Sequence, residues 1–304
     1  MWCKVVPAGT ISSNLEFRSY SEHRPRSWHA EHLSIHYLTH EILKISIHTQ
    51  QHSLIMPPSY TISNALPSDA SAISSLFALS WQSPFSRLQF GNVEPRDLAK
   101  AMKPRIAQQI AEKRMLFMVA REEKSGNVVS VAQWTVPPPP SKGEKLESKD
   151  KGKLEETGQE KEERKEREAF DEEIYLNSLP ASCNTALIAE FTMRVRVLRE
   201  RIVQGAPHFL LENLATHPGH RGQGLAARLI RHVLDVADQR SVVVYLETGE
   251  ENKARELYGR LGFEEKGRER IELERLANRE ERENLGVGDV HVVIGYVRVP
   301  STTI

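Results

Sequence analysis

The chain has 304 residues, and its 41 Lys and Arg residues balance its 41 Asp and Glu residues, so the formal net charge is zero. This balance excludes a globally basic nucleic-acid-binding protein, and we expect no nucleic-acid partner. Cys3 and Cys183 are the only cysteines, too few for a disulfide scaffold or a cysteine-based zinc site, which favours a cytoplasmic or nuclear location. No apolar run approaches the ~18 residues that a membrane span needs, so we expect no membrane partner.

Two segments differ in composition from the rest of the chain. Residues 1–55 are rich in His, Ser and Arg, and we predict a peripheral, poorly ordered segment. Several of its histidines share one side of a possible helix, but no Cys or acidic cluster accompanies them, so we predict no metal site. Residues 141–173 are mostly charged and nearly devoid of apolar side chains. We predict a disordered or helical insertion there, with contact to a protein partner as an alternative role, inside a domain that spans residues 56–304.

The rest of the domain shows alternating strand and helix patterns. In chain order we predict a strand at Tyr60–Leu66, helices at Ala70–Trp81 and Arg96–Lys113 (the second interrupted at Pro104), strands at Met115–Arg121 and Val128–Val136, a helix at Thr185–Val203, a strand at Phe209–Ala215, a helix at Gly224–Gln239, a strand at Val242–Glu247, a helix at Asn252–Leu261, and strands from Phe263 and at Val290–Val299. Hairpin and helix connections both occur. The fold class is therefore α/β (α+β), with a mixed, largely antiparallel sheet flanked by helices.

The stretch Leu210–Leu229 combines a strand, a glycine-rich turn and an amphipathic helix. Gly222 and Gly224 let the backbone curl, so that free N–H groups at the helix N-terminus point into one space. The helix dipole favours an anion there, and Arg221 adds a fixed positive charge. The pattern predicts a phosphate or pyrophosphate site.

Two nucleotide-binding motifs partly resemble this turn. A P-loop requires Lys followed by Ser or Thr after the glycines, and this turn has neither. Residues Gly222–Ala227 read GxGxxA, and Glu247 follows at about the ~20 residues expected in a dinucleotide-binding fold. However, Thr216–Arg221 separates the strand from the glycines, and little chain remains after Glu247 for a doubly wound sheet. The dinucleotide fold remains an alternative.

A family resemblance rests on three stretches. Arg221–Ala226 satisfies [Q/R]-x-x-G-x-[G/A], Leu214–Pro218 looks like the end of a fourth strand, and Ala254–Phe263 matches A-x-x-[L/F]-Y-x-x-x-G-F. In these features the chain resembles the GNAT superfamily of N-acetyltransferases. It departs from the family at Glu251, where Asn is frequent, because Asn252 stands one position late. Residues 237–247 also resemble the fungal, small-molecule branch, through Ala237-Asp238 and the strand that follows.

The resemblance implies a V-shaped cleft between the fourth and fifth strands and acetyl-CoA as co-substrate, without a metal. Backbone groups of Leu214, Ala215 and Thr216 are then expected to pair with the pantetheine arm. The residues expected at the pyrophosphate are Arg221, Gly222, Gln223, Gly224, Leu225 and Ala226. Asn252 is expected either to contact the cofactor or to cap a helix.

The resemblance also implies direct attack of a neutral amine on the thioester, with Tyr258 as the general acid. Packing within its helix is the other interpretation of Tyr258. A base is required because amines are mostly protonated at neutral pH. Glu212 is our candidate, although strand alternation leaves its direction open, and Glu190 and His217 are further candidates.

We therefore predict an N-acetyltransferase that acts on a small-molecule amine. A protein or peptide N-acetyltransferase is the second hypothesis, and a catalytically inactive CoA-binding interaction module is the third. Four aromatic residues either line the acceptor site or pack in the core: Trp81, Phe85, Phe90 and Trp134.

Overall fold

The computed structural model describes residues 59–113, 115–137 and 173–301. The predictions for residues 1–55 and for nearly all of the 141–173 insertion therefore lie outside the described residues. The strands are β1 (Tyr60–Asn64), β2 (Leu116–Glu122), β3 (Val128–Thr135), β4 (His208–Thr216), β5 (Val243–Gly249), β6 (Glu264–Glu272) and β7 (Val290–Arg298). The helices are α1 (Ala70–Ser80), α2 (Pro84–Phe90), α3 (Pro95–Ala111), α4 (Thr185–Val203), α5 (Leu225–Gln239), α6 (Arg255–Arg260) and α7 (Arg279–Leu285).

The described strands form one sheet in the order β1-β2-β3-β4-β5-β7-β6. Each neighbouring pair is antiparallel except β4 and β5, which are parallel and joined by the crossover helix α5. The predicted mixed, largely antiparallel sheet flanked by helices is confirmed. The single parallel pair lies at the centre of the sheet.

Side-chain alternation divides the core into two layers, one on each face of the sheet. On β2, Met118 and Ala120 pack in the cluster that contains α5, whereas Phe117 and Val119 pack in the cluster that contains α1 and α3. We call these the α5 face and the α4 face, because α4 covers the second face over β5, β6 and β7. Helix α6 contributes Tyr258 to the α5 face.

Helix α4 lies in the sequence between β3 and β4, and it packs unusually close to the sheet. A Cβ atom placed on Gly295 of β7 would lie 2.5 Å from Ile202 Cδ1, so any larger residue there would require the Ile202 side chain to move. Gly267 of β6 also lies under Leu198 and Ile202. A Cβ atom added to Gly267 would lie 3.3 Å from Ile202 Cδ1, which is a tight contact. The close packing brings the inner side chains of α4 onto the middle of β5.

The observed elements differ from the sequence predictions at three places. Helix α3 continues through Pro104, which is exposed, so the predicted interruption is wrong: one lost backbone hydrogen bond is offset by a buried apolar face that runs from Leu98 to Ile106. The short helices α2 and α7 were not predicted, although both carry cap signals. The Ser83 side chain accepts from Ser86 N–H, and the Asn278 side chain accepts from the N–H three residues later.

Candidate active site

The two central strands separate towards their carboxyl ends. β4 pairs with β5 from His208 opposite Val243 to Leu211 opposite Leu246. Beyond Leu211, β4 continues to Thr216 without a partner on β5. The separation opens a cleft in the middle of the sheet, lined on one side by an unpaired strand edge.

The backbone groups along this open edge can be assigned from the pairing of β4 with β3. The N–H of His217 donates to the carbonyl of Val129 at 2.8 Å. Because backbone groups alternate along a strand, Leu214 and Thr216 turn their N–H and C=O groups towards the cleft, while Ala215 turns towards β3. Of the three residues predicted to pair with a pantetheine arm, Leu214 therefore offers its N–H and C=O groups to the cleft, and Thr216 offers its N–H group.

The cleft leads to the glycine-rich turn. Gly222 and Gly224 have φ angles of 77° and 72°, in the left-handed region that favours glycine. Gly224 is the N-cap of α5, and no side chain caps that helix, so the first-turn amides that begin at Leu225 have no protein acceptor within the helix. The Nε of Arg221 donates to the Thr216 carbonyl at 3.2 Å and fixes the turn to the end of β4. The turn has the donors and the positive end of a helix that an anion requires.

Strand β1 holds this turn in place from the other side. The hydroxyl of Tyr60 donates to Gln223 Oε1 at 2.8 Å and lies 2.8 Å from His220 Nδ1. The carbonyl of Tyr60 accepts from Arg228 of α5 at 2.9 Å. The sequence pattern did not indicate this role for Tyr60, because the contact joins residues 160 and more positions apart.

A β-bulge places Glu212 on the α4 face of the cleft. Gln133 pairs with Asn213 and Trp134 pairs with Leu211, so no residue of β3 stands opposite Glu212 in the strand register. Its carboxylate accepts from the Thr135 hydroxyl at 2.8 Å. The bulge settles the direction that strand alternation had left open.

Glu247 of β5, which from the sequence was a candidate only for the acid of a dinucleotide site, lies on the same face. Burial raises the pKa of Glu247 to about 8; the charge of Arg199 on α4 opposes this shift and the charge of Glu212 reinforces it. Its Oε2 atom is buried and has no hydrogen-bond partner among the described residues. The sequence offered one signal for this role of Glu247: a charged residue directly follows the apolar strand residues 243–246.

Tyr258 and Asn252 lie beyond the carboxyl end of β5. Tyr258 is fully buried on the α5 face, in the same cluster as Leu214 and Leu246, which flank the cleft. The Asn252 side chain accepts from the Ala254 N–H at 3.0 Å and donates to Thr248 Oγ1 at 2.6 Å. This is an Asx turn that precedes α6, whose N-cap is Ala254 without a side-chain cap, so contact of Asn252 with the cofactor stays a prediction.

The remaining candidates lie away from the cleft or are occupied elsewhere. Glu190 of α4 forms an ion pair with Arg194 at 2.7 Å. His217 is exposed, and its Nδ1 accepts from the Gly219 N–H at 3.2 Å. Both observations favour Glu247 and Glu212 over these two residues as the base.

The four aromatic candidates for an acceptor wall are packed in the core. Trp134 is fully buried on the α5 face. Phe85 stacks on His291 with ring centroids 3.5 Å apart. The half-buried Trp81 is stacked between Phe77 and Phe90 at 5.8 and 5.2 Å. Their packing accounts for each ring.

Within the described ranges, no group of His, Cys, Asp and Glu side chains is arranged to hold a metal ion. The histidines of residues 1–55 lie outside those ranges. Among the helices that the structure describes, none combines the length and the apolar character needed to cross a membrane.

Residues 153–263 match the model of the acetyltransferase (GNAT) family. Similar solved structures include a histone acetyltransferase HPA2 and related acetyltransferase from Corynebacterium glutamicum (18% identity over 81% of this chain and 99% of that chain, TM-score 0.43). A second is a polyamine N-acetyltransferase from Drosophila melanogaster (16% identity over 79% of this chain and 100% of that chain, TM-score 0.49). A third is yncA from Salmonella typhimurium with its cofactor acetyl-CoA (14% identity over 80% of this chain and 95% of that chain, TM-score 0.41). No curated protein matches the sequence.

Proposed function

We propose, on the premise that the chain carries an acetyltransferase domain of the GNAT family, that it transfers the acetyl group of acetyl-CoA directly to the amine of a small molecule. One observation carries the proposal. The unpaired edge of β4 is joined through the turn at residues 217–224 to the N-terminus of α5, which has no side-chain cap, so backbone groups of one continuous segment can bind an extended arm and a pyrophosphate.

The residues present fit acetyl-CoA. Leu214 and Thr216 offer backbone groups to an extended amide-containing arm, as a neighbouring strand would. The left-handed glycines and the first-turn amides of α5 offer donors to the pyrophosphate, beside the Arg221 guanidinium. When bound, acetyl-CoA supplies a thioester carbonyl that an amine can attack.

Glu247 is the group that we propose as the base. A primary amine with a pKa of ~10.4 is mostly protonated at neutral pH, which costs about 4–5 kcal/mol of reactive population. The carboxyl of Glu247, with a pKa raised by burial to about 8, is a stronger base than an ordinary carboxylate and is close to the working pH. Glu212 lies on the same face and assists through its negative charge.

Tyr258 is the group that we propose as the acid. The base and the acid reach the cleft from opposite faces of the sheet, because Glu247 faces α4 and Tyr258 faces α5. As the bond between nitrogen and the acetyl carbon forms, Glu247 takes the amine proton. As the bond between carbon and sulfur breaks, Tyr258 donates a proton to the thiolate. No acyl-enzyme is needed, and the buried Cys183 lies in the separate α1–α3 cluster.

We place the small-molecule acceptor on the α4 face of the cleft. Polar side chains follow the open edge on that face, where Asn213 donates to Gln133 at 2.9 Å and Thr135 donates to Glu212. The residues that resemble the fungal small-molecule branch contribute less to this argument. Asp238 is accounted for by a bidentate pair with Arg298, with both contacts at 2.7 Å.

The test is release of CoA thiol from acetyl-CoA with a panel of small amines and of peptides, alongside acetyl-CoA binding by titration calorimetry. We expect turnover of small amines. Turnover of peptides alone would replace the proposal by a protein or peptide acetyltransferase. Binding of acetyl-CoA without turnover of any acceptor would leave a CoA-binding module.

A further inference from the structure

On the α4 face of the cleft, the positive charge of Arg199 acts on a pair of acidic groups from the sheet. Glu212 and Glu247 come from adjacent strands, and Arg199 comes from α4. In the helix, Arg199 stands one turn from both Val195 and Ile202, which pack against the buried clusters of this face. Its half-buried side chain therefore lies on the sheet side of α4, over the middle of β5.

Arg199 differs from its neighbouring arginines in having no fixed partner. Arg194 pairs with Glu190 and Glu269, and Arg201 pairs with Glu269 at 3.1 Å. Arg199 forms no hydrogen bond and no ion pair with any residue of the described ranges; it acts on Glu247 and Tyr245 through its charge alone. A guanidinium has five donors in a rigid fork, and those of the half-buried Arg199 are left to bind water or a ligand.

The charges limit the kind of acceptor that fits. The pKa of Glu247 is about 8, so this carboxyl is mostly neutral at pH 7 and the charge of Arg199 is opposed mainly by Glu212. A simple alkylamine would bring an ammonium near Arg199, with only the Glu212 carboxylate to offset the repulsion. An amine that carries its own carboxylate would place the ammonium at the glutamates and the carboxylate at Arg199.

We infer that Arg199 is a specificity-determining residue that binds a carboxylate of the acceptor, so the acceptor class is the aminocarboxylates. The planar guanidinium matches a carboxylate with two parallel hydrogen bonds, and it does so in a partly desolvated site, where such bonds are strongest. The inference rests on the proposed acetyl transfer. Helix α4, which lies between β3 and β4 in the sequence, then supplies the selectivity for acceptors that carry a carboxylate.

The experiment compares acceptors that differ only in the carboxylate. β-Alanine, 4-aminobutyrate and 6-aminohexanoate are assayed for CoA release against propylamine, butylamine and hexylamine, with wild type, Arg199→Gln, Arg199→Lys and Arg201→Gln. The ratio of kcat/KM for each acid to that of its matched amine cancels any general loss of activity. Arg201→Gln removes the same charge from the same helix, at the ion pair with Glu269, and is the matched control.

We expect wild type to favour at least one acid over its matched amine by roughly 10–100-fold, as a charged hydrogen-bonded contact allows. Arg199→Gln should bring that ratio close to one, Arg199→Lys should restore part of it, and Arg201→Gln should keep it. A wild-type ratio near one, a ratio unchanged in Arg199→Gln, or an equal collapse in Arg201→Gln would overturn the inference and leave acetyl transfer intact.

Failure of the proposed function has a different signature. If none of the six acceptors is acetylated while calorimetry shows acetyl-CoA bound, the small-amine proposal falls and this inference falls with it. The melting temperatures of the variants separate loss of recognition from loss of the fold.

Discussion

The two faces of the cleft are built from different chemical groups. On the α5 face and at its turn, the groups that could hold a cofactor are backbone amides and carbonyls, fixed by glycines and by the start of a helix. On the α4 face the groups are side chains, brought together by a bulge in β4 and by an inserted helix. A backbone site depends on local sequence, whereas a side-chain site depends on the whole fold. This difference determines what each change to the molecule should do.

The largest effect is expected on the α4 face, from Glu247→Gln. Loss of the base should lower kcat by roughly 10²–10⁴-fold, and the rise of kcat/KM with pH through about 8 should disappear. The same substitution should increase the stability of the fold at high pH. Because the folded-state pKa is raised, the wild-type fold loses stability as pH rises from the ordinary Glu value through about 8, and glutamine avoids this loss.

Glu212→Gln is the matched control, since it removes the other carboxylate of the same face. The charge of Glu212 raises the pKa of Glu247, so its removal should shift the pH limb to lower pH with kcat reduced less than tenfold. A larger loss in Glu212→Gln than in Glu247→Gln, with the pH limb retained in the latter, would assign the base to Glu212 instead. Rate measurements from pH 6 to 9.5 and melting curves at pH 6 and 9 distinguish these results.

The next largest effect is expected on the opposite face, from Tyr258→Phe. The ring is fully buried and packs against Phe263 and Tyr296 at centroid distances of 6.1 and 6.4 Å, so phenylalanine keeps the packing. We expect kcat to fall by roughly 10–100-fold, at the modest end for acid catalysis because a thiolate is a fair leaving group. The KM for acetyl-CoA and the melting temperature should change little.

Wild-type kcat in Tyr258→Phe would mean that water protonates the thiolate and that Tyr258 only packs. Tyr296→Phe tests whether the effect is specific, because Tyr296 lies in the same cluster and its hydroxyl accepts from Arg255 at 2.8 Å. That variant should keep kcat and lose a little stability.

The backbone site is tested by Gly224→Val. A β-branched residue at φ 72° is strained, and the strain shifts the amides at the start of α5. We expect the KM for acetyl-CoA to rise by roughly 10–50-fold with a smaller change in kcat. Gly126→Val is a close control, because Gly126 also has a φ of 72° and open space at its Cβ position but lies in the β2–β3 turn. Both variants should lose similar stability, and an equal rise of KM in both would exclude a specific role for the turn.

The local structure around the proposed backbone site, a strand followed by a glycine turn and a helix, could be predicted from the sequence. Arg221, the two glycines and the start of α5 are consecutive, and each residue type has a local physical reason to be there. Helix α4 was likewise predicted with its observed bounds, because its apolar residues recur at helical spacing. The local sequence pattern was sufficient to predict the structure wherever the interacting residues are close in the chain.

The side-chain site could not be predicted in the same way. The bulge that turns Glu212 to the α4 face depends on the register with β3, and the sequence contains no signal for it. The pKa of Glu247 is raised by burial and by the charge of the distant Glu212, against the opposing charge of the equally distant Arg199. The sequence predicted α4 as a helix but gave no indication that it would lie over β5, because packing between distant segments decides that.

The smallest effect is expected at the one point where a distant contact supports the backbone site. Tyr60→Phe removes hydrogen bonds of 2.8 Å to His220 Nδ1 and Gln223 Oε1, each worth about 0.5–1.5 kcal/mol. We expect the KM for acetyl-CoA to rise by roughly 3–10-fold with kcat unchanged, because the turn loses order but no catalytic group moves. Gln223→Ala removes one partner of the same contact, so the double variant should bind acetyl-CoA about as well as Tyr60→Phe alone. Effects that simply add in this double-mutant cycle would mean that Tyr60 acts on the turn by another route.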